Sequence, residues 1–534
     1  MQSSEDRSPF RKPSPAERAP QIDFSGWIAA TRNPGELRLG LAGFSFPDLF
    51  VPARLAELNE RFDATFRAED EAGFAIFASY RACRGEGMTA QGVSEALLVA
   101  APHVSRFVQA LFGVEDEASR LATAAKARSV LWHFKKELVK KRVFKPNAGK
   151  SFTGTAEQAA LLSRLALIAV GAPASAFDGA RRGPSALDDR DDEEIAIARA
   201  SLRILEVDDI ARKAAKAGGA KWTEELHARA AAVRFAVLDE ASLSAFHEAV
   251  RVPFAPATDD DDAAVVALAL DAIEAWLAAR RLDPRDPAHA WPTLKAPHAL
   301  DFEKLVALRR PEEKLPELFV GPEHEKRQRD GFALTDRRWD AREVEGEVDY
   351  CLFCHDRDKD SCSKGLVDAK SATPGAVKKN PLGVALNGCP LDEKISEMHL
   401  MRQAGDAVAA LALVCIDNPM VPGTGHRICN DCMKACVFQK QDPVNIPQIE
   451  TAVLTDVLAL PWGFEIYGLL TRWNPINVER PFAKPYNGKN VLVVGLGPAG
   501  YTLAHHLAAE GFGCVGVDGL KIEPLPVELT GDET

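Results

Sequence analysis

The chain has 534 residues, of which 46% are hydrophobic and 27% charged, a length sufficient for about three or four domains with hydrophobic cores. Its formal net charge of -12 argues against general attraction to nucleic acid or anionic lipid. The most apolar runs are interrupted by charged residues and the polar N-terminus has no stretch typical of an export signal, so we expect a cytoplasmic protein without a nucleic-acid or membrane partner.

The first 349 residues divide into three predicted parts. Residues 1–22 are polar and proline-rich and are predicted to form a disordered tail. Residues 23–310 are rich in Ala, Leu and Arg, and their apolar residues recur at helical spacing, which predicts one or two helical domains of unknown role. A clear helical stripe consists of Val266, Leu270, Ile273 and Leu277. Residues 311–349 are charged and aperiodic and are predicted to be a linker.

Residues 350–475 form the cysteine-rich part of the chain. The chain has ten cysteines, and seven of them lie within 86 residues. These seven are Cys351, Cys354, Cys362, Cys389, Cys429, Cys432 and Cys436. In a reducing compartment, clustering of this kind points to metal or redox chemistry rather than to disulfides. One helix is predicted here, from Ile395 to Cys415, with Cys415 in its apolar packing.

Two simple metal chemistries account for only some of these thiols. The sequence Cys351-Leu-Phe-Cys354-His355 matches the pattern for covalent haem attachment, but that chemistry needs export and leaves five nearby cysteines unexplained. A zinc site of two Cys-x2-Cys pairs would join segments separated by 74 residues, far more than the roughly 15–20 of compact zinc ribbons. Seven cysteines, one of them followed by a proline, instead favour two iron–sulfur clusters with four protein ligands each.

Residues 476–534 contain the sequence GLGPAG directly after the apolar strand Val491–Val494. In a strand–turn–helix unit, such glycines permit the turn, let the backbone approach a pyrophosphate, and allow close helix–strand packing. An aspartate at the end of the next strand can accept the ribose hydroxyls. This context favours dinucleotide binding over a purely structural turn. The predicted nucleotide-binding residues are Gly495, Gly497, Pro498, Ala499, Gly500 and Asp518.

The order of the motifs, more than any one of them, resembles a known family. The Cys-x2-Cys pair is followed by GCPL (Gly388–Leu391), DNPM (Asp417–Met420), GHRIC-x2-C-x3-C, and PVNI with an acid at Glu450. This pattern resembles the N-terminal iron–sulfur domain of the glutamate synthase small subunit and of dihydropyrimidine dehydrogenase, which directly precedes an FAD-binding GxGxxG. The resemblance covers about Asp349 to Asp518, a third of the chain.

The resemblance implies a crossed set of ligands. One [4Fe-4S] cluster would take Cys351, Cys354, Cys362 and Cys436. The other would take Cys389, Cys429 and Cys432, with Glu450 as its fourth ligand. The implied fold is mostly α, with a helical N-terminal region, an α-helical iron–sulfur domain and the start of a Rossmann-type α/β FAD-binding domain. The implied function is an FAD-dependent, NAD(P)H-linked oxidoreductase that moves electrons between FAD and the two clusters.

The resemblance also implies parts that this sequence does not supply. A flavin domain and a nicotinamide-binding domain each need on the order of 100 residues, whereas 34 residues follow Gly500. We therefore expect the chain to be an N-terminal portion of a longer enzyme, or to be completed by a separate chain. An electron-acceptor protein or domain is compatible with this function, and the basic run Lys135–Lys150 is either a solvated helix face or a docking surface for an acidic partner. The alternative is a zinc-stapled helical scaffold without redox activity.

Overall fold

The computed structural model describes residues 37–177, 192–216, 240–251, 262–306, 308–322, 337–357 and 359–519. The protein is mostly helical, as predicted. Helices of the first part are α1 (Pro52–Glu69), α2 (Glu71–Cys83), α3 (Ala90–Phe112), α4 (Glu115–Phe134), α5 (Ala156–Ala169), α6 (Glu193–Lys216), α7 (Glu240–Arg251) and α8 (Asp262–Leu282). The predicted tail, residues 1–22, lies outside the described residues.

The second part contains nine helices and two strands among its described residues. The helices are α9 (Ala341–Tyr350), α10 (Ser361–Lys364), α11 (Ile395–Gln403), α12 (Ala407–Asp417), α13 (Val421–Ile428), α14 (Asp431–Ala435), α15 (Ile446–Leu458), α16 (Gly463–Arg472) and α17 (Pro498–Ala509). The strands are β1 (Asn490–Val494) and β2 (Gly513–Val517).

Local sequence signals account for several helix ends. Helix α3 begins where the Thr89 side chain accepts a hydrogen bond from the Gly92 amide, and it ends at Gly113, whose φ of 64° is the left-handed conformation that favours glycine. Helix α9 begins with a capping box in which Asp340 and Glu343 satisfy each other's backbone amides. The stripe predicted in α8 is confirmed, since all four of its residues are buried.

The helix predicted from Ile395 to Cys415 is interrupted. Helix α11 ends at Gln403 and α12 begins at Ala407. Gly405 between them has a φ of 80°, and a Cβ there would lie 2.8 Å from Ala122 Cα, so the chain turns where α4 passes. Asp406 then caps α12 by accepting the Ala409 amide. Apolar periodicity continued through the break and concealed it. Cys415 is buried in α12, as predicted.

The buried apolar residues form two cores. The first combines residues between Leu37 and Val114 with residues between Val344 and Ile476, and Trp473 is fully buried against Phe62 within it. The second lies between Val130 and Leu294 and is built mainly by α4 to α8. The helices nearest the N-terminus therefore pack with the cysteine-rich part. The division into domains stays a prediction. Residues of α1 to α3 nevertheless share one core with Cys362, Cys432 and Cys436.

Helices α4 and α9 connect the two cores. The ends of α4 contribute to different cores, with Leu121 packed against the first and Leu131 buried in the second. The Arg128 guanidinium of α4 donates to both carboxylate oxygens of Glu345 in α9, with Nη2 2.7 Å from Oε1. Arg342 at the start of α9 pairs with Asp192 at 2.8 Å. Because α9 ends at Tyr350, these ion pairs fix the helix that leads directly into Cys351.

Strands β1 and β2 pair in parallel, and α17 connects them. Their register joins Asn490 to Gly513 and Val494 to Val517. This arrangement matches the predicted strand–turn–helix–strand unit. None of the described helices is by itself long and apolar enough to cross a membrane; a bent pair, α15 with α16 at 119°, meets the criteria of length and composition.

Candidate cofactor sites

Four cysteines converge from three parts of the second half of the chain. Cys351 caps the C-terminus of α9, and its sulfur accepts the Phe353 amide at 3.4 Å. Cys354 begins a short 3-10 turn three residues later. The turn between them needs a left-handed Phe353, with a φ of 47°, which is unusual for a bulky residue. Cys362 is buried in α10, and Cys436 is buried where it caps the C-terminus of α14.

These four sulfurs share one electrostatic environment. Burial first, and then Cys436 and Cys354, raise the pKa of Cys351 to about 12, although the Phe353 amide lowers it in part. Burial also raises the pKa of Cys362 far above its usual range, with further contributions from Asp360, Cys351, Cys436 and Cys432. We call Cys351, Cys354, Cys362 and Cys436 the first cysteine group. Such thiols stay protonated unless a cation displaces their protons, as a cluster or metal would.

A second group lies on α13, α14, α15 and the segment before α11. Burial raises the pKa of Cys432, and Glu450, Glu393, Cys389 and Cys429 raise it further. The pKa of Cys389 is raised to about 12, first by burial and then by Glu393, with a smaller contribution from Glu450. Cys429 is exposed at the end of α13. We call Cys389, Cys429, Cys432 and Glu450 the second group.

Glu393 is a member of this neighbourhood that the sequence analysis did not identify. Glu450 is buried, and its pKa is raised well above the ordinary value, first by desolvation and then by the charge and hydrogen bond of Glu393. Glu393 is itself buried, and its backbone carbonyl accepts the Ser363 hydroxyl. The acidic pair Asp392–Glu393 shortly after Cys389 was the available signal. Two carboxyl groups, rather than one, therefore face the three thiols of the second group.

The two groups adjoin through the backbone. The Cys389 amide donates to the Cys362 carbonyl at 2.8 Å, although the cysteines belong to different groups. Gly388 makes this approach possible, since its φ is 81° and a Cβ there would lie 2.6 Å from the Ser363 carbonyl oxygen. On the other side, the short α14 carries Cys432 of the second group and ends at Cys436 of the first. The two predicted ligand sets therefore adjoin at two places in the chain.

Within the described ranges, no three His, Cys, Asp or Glu side chains are arranged to hold a single metal ion. A single ion draws all its ligands to one centre. A cubane cluster binds each ligand to a different iron, so its ligands stand farther apart. The donor set of buried thiols suits an iron–sulfur cluster chemically. His355 of the haem-type pattern is buried in the core.

The glycine turn joins β1 to α17. Gly495 has a φ of 90°, and Gly497 is the N-cap of α17, whose first turn begins with Pro498 and Ala499. A Cβ on Gly500 would lie 1.8 Å from the Gly495 carbonyl oxygen, so this position requires glycine. The Asp518 carboxylate directly after β2 accepts the Leu496 amide at 2.5 Å. The predicted residues from Gly495 to Gly500 thus form the glycine turn and the start of α17, and Asp518 is hydrogen-bonded to this turn from the end of β2.

The glycine turn is tied to the second cysteine group. The Tyr501 hydroxyl, one residue beyond Gly500, donates to the Gly423 carbonyl at 2.6 Å. Gly423 lies in α13, which ends at Cys429. A Cβ on Gly423 would approach the Tyr501 hydroxyl oxygen to 2.5 Å, so the contact depends on a small residue there. The segment Val421–Ile428, which is bent at Gly425, therefore connects the Tyr501 contact to Cys429 of the second group.

Comparisons with known proteins find partial similarities. No family model and no solved structure matches the chain. It is 58% identical over 110 residues to the uncharacterized protein RP006 of Rickettsia prowazekii, and 39% identical over 82 residues to the uncharacterized protein RP005 of that organism. It is also 30% identical over 126 residues to the "Glutamate synthase [NADPH] small chain" of Mycobacterium tuberculosis.

These similarities cover small parts of every partner. The matched segments are 21%, 15% and 23% of this chain, and the chain spans only 16%, 28% and 23% of the three relatives. Two strains of M. tuberculosis give the same match to the small chain. The comparisons therefore support one coarse statement: part of this chain is distantly similar to an oxidoreductase subunit.

Proposed function

We propose that this protein is an iron–sulfur flavoprotein oxidoreductase in which electrons pass between FAD and two [4Fe-4S] clusters, with NAD(P)H as the ultimate donor. The observation that carries the proposal is that five of the seven clustered cysteines lie in or against one hydrophobic core. Cys362, Cys432 and Cys436 are buried in it, and Cys351 and Cys389 pack against it. The Cys389 amide also donates to the Cys362 carbonyl at 2.8 Å, so segments that carry these thiols meet.

The first cluster would be held by the first cysteine group and the second by the second group, with Glu450 as the oxygen ligand. When bound, FAD exchanges electron pairs with a pyridine nucleotide, and each cluster transfers single electrons. The chain's own contribution is to keep water away from the thiols, of which Cys362, Cys432 and Cys436 are buried. The Phe353 amide donates to Cys351 Sγ, and hydrogen bonds of this kind tune cluster potentials.

The glycine turn would bind the pyrophosphate of FAD. Backbone amides in the first turn of α17 after Pro498 and the helix dipole would both favour an anion there. Asp518 holds the turn through the Leu496 amide, and its carboxylate would accept the ribose hydroxyls. The contact between Tyr501 and Gly423 would orient this turn relative to the second group.

We further propose that additional strands complete the flavin domain, either from outside the described residues or from a separate chain. The two-stranded sheet leaves Leu492, Val494, Val515 and Val517 exposed. Apolar strand residues in doubly wound folds are normally covered by neighbouring helices and strands. We propose that the nicotinamide-binding domain and the electron acceptor likewise lie outside the described residues or on a separate chain.

The decisive experiment is anaerobic purification followed by analysis of iron, acid-labile sulfide and zinc. We expect about eight irons and eight sulfides per chain, a brown colour, and an electron paramagnetic resonance signal after dithionite reduction. A colourless protein with stoichiometric zinc would contradict the proposal and support the zinc-stapled scaffold. FAD binding is measured separately by flavin fluorescence, because the two cofactor sites can fail independently.

A further inference from the structure

The segment between Cys362 and Cys389 forms a folded excursion of 26 residues. Its ends meet where the Cys389 amide donates to the Cys362 carbonyl. Inside it, the Leu366 amide donates to Leu386 at 2.9 Å and its carbonyl accepts the Lys378 amide at 2.8 Å. The excursion is therefore held by its own backbone hydrogen bonds, which fixes the position of its side chains.

This excursion forms one wall of an open cavity of about 990 Å³. The lysines that line the cavity are Lys359, Lys364, Lys378, Lys379 and Lys440. Only two acidic side chains line it, Asp360 and Asp368, so the lining carries a formal excess of three positive charges (five Lys minus two Asp). On a chain whose net charge is -12, this is a local reversal of sign. We call this cavity and its lining residues the basic groove.

Most cations of the basic groove have no ion-pair partner among the described residues. Lys364 pairs with Asp392 at 3.3 Å, whereas no described carboxylate lies within ion-pair distance of the other four lysines. In the basic run Lys135–Lys150, Lys140, Lys141 and Arg142 pair with acids of this chain, and Lys135 is buried with its ammonium donating to the Pro292 carbonyl. The groove thus gathers four lysines without a described ion pair around one cavity, whereas four of the seven cations of the run are paired or buried.

The basic groove also offers apolar contact beside the first cysteine group. Val367 and Val437 line it and are exposed. Val437 follows Cys436 directly in sequence, and Asp360 lies two residues before Cys362, whose Sγ lies 3.9 Å from the Asp360 carboxylate. A molecule in the groove would therefore contact residues within two positions of two thiols of the first group.

We infer that the basic groove is the docking site of a small acidic electron-carrier protein, an inference that rests on the proposed clusters. Lysines without partners steer an acidic surface into position, and a few apolar contacts complete a transient interface, as weak redox encounters require. The groove lysines would hold the carrier beside the first cysteine group, where a bound, reduced cluster would supply one electron to the oxidised centre of the carrier. NAD(P)H would be the source of the electrons through FAD, and no atoms would be transferred.

The test is the affinity for an acidic plant-type [2Fe-2S] ferredoxin, measured by biolayer interferometry at 50 and 200 mM NaCl. The variant Lys378→Glu/Lys379→Glu reverses two exposed charges of the groove. The matched control Lys145→Glu/Lys150→Glu reverses two exposed lysines of the other basic run. We expect the groove variant to weaken binding at least 10-fold and to reduce its salt dependence, with the control within 2-fold of wild type. Circular dichroism and iron content should match wild type in both variants.

Three outcomes would overturn the inference. These are failure of wild type to bind the ferredoxin at 50 mM NaCl, an equal loss in groove and control variants, and tighter binding of single-stranded DNA or phosphatidylserine vesicles that the groove variant abolishes. The binding assay is also run on protein stripped of iron. Groove-dependent binding by a protein that is found to contain no iron would contradict the proposed function but support the docking site. The two failures can therefore be distinguished.

Discussion

The two regions proposed to hold cofactors are stabilised in different ways. Most of the clustered cysteines lie in or against the larger hydrophobic core, where α3 packs against α11 and α12. The glycine-turn unit has no buried residue in α17, and Leu492 and Val494 of β1 are 62% and 79% exposed. A few polar contacts, such as Arg480 with Glu510 at 2.8 Å, hold it to the rest of the chain. We therefore expect a mutation in one of these regions to leave the cofactor content of the other unchanged.

The largest effect is expected from the crossed thiols. Cys436→Ser and Cys351→Ser should each remove the same paramagnetic centre and about half of the iron, because each deletes a thiolate from one cubane. Cys429→Ser should affect the other centre. Electron paramagnetic resonance and iron analysis of the three variants measure this. Identical spectra from Cys436→Ser and Cys429→Ser, with the Cys351 centre spared, would show that the grouping is wrong.

The next largest effect concerns the glycine turn. Gly500→Ala places a methyl group 1.8 Å from a backbone oxygen, so the turn must open. We expect FAD affinity to fall on the order of 100-fold, or about 3 kcal/mol, with iron content unchanged. Ala508→Ser, at an exposed position of the same helix, is the control and should keep wild-type affinity. Loss of iron together with FAD would contradict the expected independence of the two regions.

A smaller effect is expected in the pH dependence of the free energy of unfolding, through a histidine buried in the core around the cysteines. His399 in α11 is fully buried, neither ring nitrogen has a described partner, and burial lowers the pKa of the imidazole to about 3. Because the folded protein resists this protonation, stability should fall as the pH drops from 6.5 toward 3, by about 2 kcal/mol between pH 7 and 5.

His399→Leu should remove that contribution, which urea unfolding at pH 7 and 5 measures. His505 of α17, whose pKa burial lowers to about 4, is the corresponding group in the glycine-turn unit. His505→Leu should change the global unfolding less, because α17 lies outside the core. Equal pH dependence in wild type and His399→Leu would contradict the assignment.

The smallest effect distinguishes the two carboxyl groups of the second group. If Glu450 is the oxygen ligand, Glu450→Gln should shift the midpoint potential of the second centre by about 60 mV, or 1.4 kcal/mol. Glu393→Gln removes the neighbouring charge and should shift it less. Redox titration followed by electron paramagnetic resonance resolves the two. A larger shift in Glu393→Gln would make Glu393 the ligand.

Much of both sites could be predicted because their signals are local. The turn between Cys351 and Cys354, the strand before Gly495 and the helix after it depend on residues close in sequence, so spacing and apolar pattern were sufficient. The break at Gly405 was missed because apolar residues continue on both sides of it. The close approach of Gly405 to Ala122 in α4, which leaves no room for a Cβ, is a tertiary contact that no local pattern reveals.

By itself, the sequence determined which residue types are available for cofactor chemistry, the helical character of the chain, and the glycine turn with Asp518 after its second strand. Only the tertiary structure decided which groups meet: Glu393 beside Glu450, Tyr501 on Gly423, and five lysines around the basic groove. The reason is physical. Local conformation follows from short-range sterics and hydrogen bonds, whereas burial, ion pairing and shared electrostatic environments arise when distant segments pack into one core.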